Sequence, residues 1–212
     1  MTNSSFFGIL FRGGNMELLF ATSNEAKLKR FNKLEEQGIK ILGLKDVNVD
    51  IDIDENGKNA IENAIIKAKA YYDKLSITTM AMDDNLYIEN IPDELQPGMY
   101  VRRVNGKRLS DDEMIDYYSN LAKTYGDNGV LTARWVYGLA IIKDGNTKTY
   151  TWSKEDFYIT SKVSPKRHIG YPLDSISINK KLNKYFTDIT EEDKKELEYN
   201  ENNVIEFIKN SV

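Results

Sequence analysis

The chain has 212 residues and a net charge of −4, with 41% apolar and 29% charged residues, an ordinary globular composition with material for a real core. That balance argues against a general nucleic-acid binder, which shows a basic excess, and no apolar run approaches the ~20 residues of a membrane-spanning helix. The absence of cysteine and the single histidine remove disulfides, thiolate zinc sites, cysteine nucleophiles and His-rich metal centres, leaving hard cations with oxygen ligands as the better metal chemistry.

In chain order, Phe6 to Phe11 is apolar but short and has no basic region before it, so it makes a poor signal peptide. Residues 1–15 are read as an extension outside a domain spanning 16–212, in a cytoplasmic protein. Glu17 to Ala21 reads as a short buried strand. Ala26 to Leu34 reads as a helix with Leu28, Phe31 and Leu34 on one stripe. Between them lies Thr22-Ser23-Asn24-Glu25-Ala26-Lys27, a polar turn entering a helix, the geometry that receives phosphate. Capping of the helix by Ser23 or Asn24 explains the same residues, and both readings stand. Gly38 ends the helix and Ile39 to Leu44 forms a second strand.

An acidic connector follows, Asp50 to Gly57, most of whose carboxylates read as solvated. Asn59-Ala60-Ile61-Glu62 is a capping box that opens a helix to about Leu75, with Ala64, Ile65, Ala68 and Tyr72 inward. Lys67 and Lys69 fall on different faces, so at most one reaches a shared site. Met80-Ala81-Met82-Asp83-Asp84-Asn85-Leu86-Tyr87-Ile88 is the stretch around which the rest is organised. It is strand-like, yet two adjacent carboxylates interrupt it, at a cost of several kcal/mol unless they are solvated, paired or bound to a cation. Either the strand ends there and the pair opens a turn at Asn85, or the pair marks a site.

Pro97-Gly98 sets a tight turn, after which Arg102 and Arg103 have the chemistry to meet phosphate, with surface solvation preferred for Arg102. Ser110 caps a helix to about Tyr125 whose Met114, Tyr117, Tyr118 and Leu121 read as core. Gly129 to Lys143 is β-rich, Asp144-Gly145 is a hairpin turn into Thr147 to Trp152, and Phe157 to Thr160 is a further strand. Pro165 to Asp174 is a loop with an exposed aromatic. Thr190 opens the last helical region, ending in Val204 to Ile208. Helices alternating with strands, then a hairpin, argue an α/β fold with a mixed sheet.

Five of these segments, in order, resemble the inosine triphosphate pyrophosphatase family, which hydrolyses non-canonical purine nucleoside triphosphates. Ala21 to Lys27 resembles its Thr-x-Asn-x-x-Lys phosphate loop. Glu55-Asn56-Gly57, then Ile61-Glu62-Asn63-Ala64-Ile65-Ile66-Lys67-Ala68, resemble its acidic turn and following helix. Met82-Asp83-Asp84-Asn85-Leu86 is similar to its Ala-Asp-Asp-Ser-Gly-Leu motif, and Pro97-Gly98-Met99-Tyr100 to its Pro-Gly-x-Tyr turn. The resemblance covers nearly all of residues 16–212. It implies an elongated mixed central sheet flanked by helices, in two lobes with a nucleotide cleft between them, and usually a homodimer. It also implies Mg²⁺ held by Glu55 and Asp84, and catalysis by Asp84 and Lys67, with Asp84 also orienting or deprotonating the attacking water. Thr22, Ser23, Asn24, Lys27 and Arg103 would hold the triphosphate. For the base it implies Asn85, Gly170, Tyr171, Asp174 and Lys194.

The base half departs from the family. Its Phe-Gly-Tyr/Trp-Asp loop appears as Ile169-Gly170-Tyr171-Pro172-Leu173-Asp174, with two residues inserted. Its Ser-His-Arg falls at Glu198-Tyr199-Asn200, so Tyr199 and Asn200 take the place of the group that reads the purine six-position oxygen. An altered donor set changes which base is accepted. The alternatives are a nucleotide-binding module that keeps the fold without turnover, and an unrelated acidic α/β interaction protein.

Overall fold

The structure, a computed structural model, describes residues 16–154, 156–197 and 202–212; the expected extension 1–15 lies outside them, as do Tyr199 and Asn200. Strand β1 (Met16–Phe20) leads into helix α1 (Glu25–Arg30). The expected helix through Leu34 breaks at Phe31 into 3-10 turns over Asn32–Gln37, which Gly38 closes in the left-handed region at φ 78°. The tighter pitch puts residues three apart in line, and this lets Phe31 and Leu34 both be fully buried. Strand β2 (Ile39–Leu42) and a single short turn, α2 (Leu44–Val47), precede the acidic connector.

Helix α3 (Ala60–Leu75) starts as expected, the Asn59 side chain accepting from the Glu62 amide. Its covered face is Ala60, Asn63, Ala64, Ala68 and Tyr71. The expected inward Ile65 and Tyr72 sit at the margin, where the Tyr72 hydroxyl accepts from the Gly145 amide at 2.8 Å. The small residues let the helix lie close on the sheet. A Cβ on Gly138 would stand 2.5 Å from the Ile61 nitrogen and 2.6 Å from the Ala60 carbonyl carbon.

Strand β3 (Thr79–Ile88) runs unbroken through the acidic pair. The reading of a turn at Asn85 is therefore corrected: Asp83 pairs with Gly138, Asp84 with Tyr137 and Asn85 with Val136. Next come the two-residue strands β4 (Arg103–Val104) and β5 (Lys107–Arg108), then α4 (Asp111–Tyr125), whose capping box joins Ser110 and Glu113. Of its expected core residues Met114, Tyr118 and Leu121 are buried, while Tyr117 is only partly so.

The long β6 (Val130–Lys143) turns at Asp144-Gly145, both at positive φ, into β7 (Asn146–Ser153). Strands β8 (Phe157–Thr160), β9 (Ser177–Asn179) and β10 (Lys184–Tyr185) follow, then α5 (Glu191–Glu196) and α6 (Asn202–Lys209).

Eight strands form one mixed sheet in the order β10-β9-β8-β6-β3-β1-β2, with β7 also on β6. Among the described residues, only β1 with β2 and β1 with β3 pair in parallel. Helix α3 covers one face through Ala64, Ala68 and Tyr71 against Ala81, Ala140 and Ile142. The other face carries two apolar clusters. One joins Phe20, Phe31, Met80, Met82, Leu139 and α6 through Val204 and Ile208. The second joins Leu86, Ile88, Phe157 and α4. Along β3 that face reads Met80, Met82, Asp84, Leu86, Ile88, so a carboxylate falls at the seam between the two lobes. Among the described residues no helix is long and apolar enough to cross a membrane.

Candidate active site

The site forms where β3 loses its neighbour. β1 pairs with β3 only at Thr79 and Met80, its last bond running from the Ala21 amide to the Met80 carbonyl. Further along, Leu86 exchanges backbone bonds with Gly98 of the Pro-Gly turn. Between these two points the edge of β3 is open, just past the carboxyl end of a parallel strand, where α/β sheets place their ligands. Strand alternation then sends the two carboxylates to opposite faces: Asp83 toward α3, Asp84 toward α1.

Each carboxylate has a partner from the helix on its side. Lys27 of α1 is 3.2 Å from Asp84. Asn63 of α3 donates through Nδ2 to Asp83 at 3.1 Å and to the Met99 sulfur at 3.3 Å, while its Oδ1 accepts from the Gly57 amide at 2.8 Å. One buried amide thus ties the acidic connector, the strand and the Pro-Gly loop together. Gly57 is required by that contact, because a Cβ there would stand 2.6 Å from Asn63 Oδ1. One turn along α3, Lys67 pairs with Glu55 at 2.9 Å. Lys69, as expected, faces elsewhere and pairs with Asp73. Burial raises the Asp83 pKa above its usual value and the nearby Asp84 adds to this, while Lys67, Lys27 and the Asn63 hydrogen bond offset it.

These groups surround a cavity of about 830 Å³, lined by Lys27, Asp52, Ile53, Asp54, Glu55, Asn56, Asn63, Asp83, Met99, Tyr100, Arg102, Arg103 and Arg108. The volume is that of a small-molecule site. Of the residues expected from sequence, Lys27, Glu55 and Arg103 line it directly, and Lys67 and Asp84 join it through their ion pairs. Thr22, Ser23 and Asn24 lie in the segment leading to α1, where the Thr22 hydroxyl accepts from the Asn24 amide at 3.2 Å. Arg102, for which solvation was preferred, instead pairs with Asp111 at 2.7 Å.

Asn63, Met99 and Arg108 were not given a site role from sequence, and Asp83 was noted only as half of the acidic pair. For Asn63 a signal existed: it stands four residues before Lys67, on the same stripe of the helix.

Among the described residues, the expected base-binding Asn85, Gly170, Tyr171, Asp174 and Lys194 do not line this cavity. Asn85 is 3% exposed; its Nδ2 donates to the Tyr87 hydroxyl at 3.2 Å, and its Oδ1 has no hydrogen-bond partner among the described residues. Gly170 is in the left-handed region, and Tyr171 is 42% exposed. Asp174 accepts from or shares a proton with His168 Nδ1 at 2.9 Å, and burial pushes its pKa up. Lys154 reaches both this carboxylate's field and the Tyr137 ring, and Tyr137 sits beside Asp84 across the sheet. Lys194 is held by Glu191 at 2.6 Å, one turn back on α5.

The donor set suits a hard cation. Among the described residues no three Asp, Glu, His or Cys side chains are grouped tightly enough to form a complete metal cage. A small divalent ion of the Mg²⁺ type asks for less, one or two carboxylates plus substrate phosphate oxygens and water. Glu55 and Asp84 have the right chemistry for that role, each now neutralised by a lysine.

The Ham1 family model matches residues 18–209. A dITP/XTP pyrophosphatase of Bacillus subtilis is 30% identical over 185 residues, 86% of this chain and 90% of that protein. One from Christiangramia forsetii is 30% identical over 161 residues, 76% of this chain and 80% of that protein. Among solved structures, the Staphylococcus aureus Ham1 protein superposes with a TM-score of 0.74 at 24% identity, over 92% of this chain and all of that one. A HAM1 protein from Coxiella burnetii gives 0.71 at 21% identity, over 92% and 99%. At these identities the structures speak for the fold; the sequence matches carry the kinship. The chain belongs to the Ham1 family.

Proposed function

We propose that this chain is a Mg²⁺-dependent nucleoside triphosphate pyrophosphatase, converting non-canonical (deoxy)nucleoside triphosphates such as ITP, dITP or XTP to the monophosphate and pyrophosphate. The observation that carries the reading is the pair of lysine–carboxylate bridges, Lys27–Asp84 and Lys67–Glu55, set about one cavity at the open edge of β3. The dITP/XTP pyrophosphatases to which the chain is similar support the substrate class.

A triphosphate brings about four negative charges, which must be neutralised before a nucleophile approaches. Lys27 and Lys67 have side chains only 17% exposed, so a polyphosphate entering the cavity competes with Asp84 and Glu55 for them. Partner exchange passes the lysines to phosphate and frees Asp84 and Glu55, the two carboxylates that would hold a divalent ion. Thr22, Ser23, Asn24 and Arg103 complete the phosphate cradle. Bound Mg²⁺ would supply Lewis-acid polarisation of the phosphoryl oxygens.

Asp84 orients a water and takes its proton as the water oxygen bonds to the α-phosphorus. The bond from that phosphorus to the α,β-bridging oxygen breaks, and pyrophosphate departs with the electron pair. Tyr171 stacks on the base and Asp174 accepts from a ring nitrogen. Asn85, Gly170 and Lys194 shape the rest of the base end. The reading carries a cytoplasmic homodimer acting on free nucleotides.

The test is pyrophosphate release from dITP, ITP, XTP and the four ordinary deoxynucleoside triphosphates, with and without Mg²⁺. Metal-dependent release favouring the non-canonical substrates is expected. No release from any of them, alongside retained binding of a non-hydrolysable triphosphate, would reduce the chain to a binding module. Light scattering checks the dimer.

A further inference from the structure

The β4–β5 hairpin and the residue before it carry four cations in seven residues, Arg102, Arg103, Lys107 and Arg108, and strand alternation divides them. Arg102 and Lys107 turn to α4, where they pair with Asp111 and Glu113. Arg103 and Arg108 stand directly opposite each other in the ladder, both exposed, and both line the cavity that holds Glu55, Asp83 and Lys27. Neither guanidinium has an ion-pair or hydrogen-bond partner among the described residues. Like charges directly across a ladder are destabilising. A hairpin of two-residue strands, turned by Asn105 and Gly106 at φ 49° and 77°, has little pairing of its own to offset that repulsion. The arrangement makes sense when an anion with several oxygens lies between the guanidiniums, since two planar forks side by side match such a group and a lone ammonium does not.

We propose that Arg103 and Arg108 form a two-guanidinium clamp on the pyrophosphate part of the substrate, with Arg108 a positioning residue for the leaving group. This rests on the pyrophosphatase reading and deepens it. When the α-phosphorus–oxygen bond breaks, the electron pair stays on the departing pyrophosphate, whose charge grows. Fixed guanidiniums aimed at that end stabilise it in the transition state and hold it afterwards as product. The α-phosphate and nucleoside end lie outside the clamp, so a nucleoside monophosphate does not engage it.

The experiment titrates the full chain calorimetrically with inorganic pyrophosphate and, separately, with dIMP, and measures KM and kcat for dITP. Arg108→Ala is expected to weaken pyrophosphate binding about tenfold, as for loss of one partly exposed charge-assisted contact, with dIMP affinity unchanged. Arg108→Lys keeps the charge but not the fork, and recovers less than half of that loss on a logarithmic scale. Lys107→Ala removes equal charge from the opposite face of the hairpin and leaves pyrophosphate affinity within twofold. The clamp is overturned if Arg108→Ala binds pyrophosphate within twofold of wild type, or if Lys107→Ala weakens it as much. The parent reading fails separately: a wild-type protein that releases no pyrophosphate from any nucleotide, yet loses pyrophosphate affinity on Arg108→Ala, keeps the clamp and loses the enzyme.

Discussion

Gly138→Ala probes how the site is held at a distance from any ligand. The new methyl carbon would lie 2.5 Å from the Ile61 nitrogen and 2.6 Å from the Ala60 carbonyl carbon and the Ile61 Cα. Ordinary non-bonded contacts between heavy atoms begin near 3.5 Å, so the first turn of α3 must retreat by roughly 1 Å. These are backbone atoms, and no side-chain rotation relieves the clash. Overpacking of this kind costs about 1–3 kcal/mol. In a chain of this size that lowers the midpoint of thermal unfolding by roughly 2–4 °C per kcal/mol. The same retreat carries Asn63 away from Asp83 and Lys67 away from Glu55. A displacement near 1 Å in positioning groups costs on the order of a hundredfold in turnover. Thermal melts followed by circular dichroism and a pyrophosphate-release assay read the two effects. A variant that melts within about 1 °C of wild type and turns over within twofold of it would show that α3 has slack at this crossing, and the account of a helix seated hard on the sheet would be wrong.

Asp84→Asn should abolish pyrophosphate release while leaving the melting temperature close to wild type, because the residue sits at the seam between clusters rather than inside one; retained turnover removes it from the mechanism. Lys27→Ala should act mainly on triphosphate affinity, and an effect confined to thermal stability would support a purely structural role beside Asp84. Chelation of divalent ions should stop turnover without lowering the melting temperature of the nucleotide-free protein, whereas a large drop would mark the ion as structural. The Asp193 carboxyl, held at a pKa of about 2 chiefly by its Lys184 hydrogen bond and by those from Thr190, contributes stability above its ordinary value of 3.8, lost as pH falls through the folded value. Asp193→Asn should therefore melt below wild type from pH 5 to 8, and the gap should close toward pH 2; a gap independent of pH contradicts the assignment.

Much of the fold was legible because local signals agreed with the final packing. The Asn59 and Ser110 caps and the Asp144-Gly145 turn depend on neighbours in sequence, and all three stand where expected. The acidic pair was recognised as out of place in an apolar strand. Which way each carboxylate points needed the strand to continue, and that continuation depends on β6, some 50 residues away in the chain. Tyr71 rather than Tyr72 is buried because the close approach at Gly138 sets the rotation of α3. Strands β9 and β10 have three and two residues and exist only through distant pairing, so no period could announce them. Arg108 was invisible for the same reason: its place opposite Arg103 is a matter of ladder register. Arg103, Lys27 and Glu55, which line the cavity, were available from the motif resemblance, while for Asn63 the place one turn before Lys67 was legible but its three bonds were not.

β3 and β6 run side by side for ten residues, Thr79 to Ile88 against Ile142 to Ala133, and each serves both apolar clusters on the far face. The two halves therefore share a keel instead of meeting at a hinge. Large opening or closing would mean bending a continuous ladder, so the entropy of arranging Asp83 and Asp84 is spent when the chain folds, not when nucleotide arrives. What motion remains falls to the appendages that border the cavity, and a chain built this way should meet its ligand with its acids already in place.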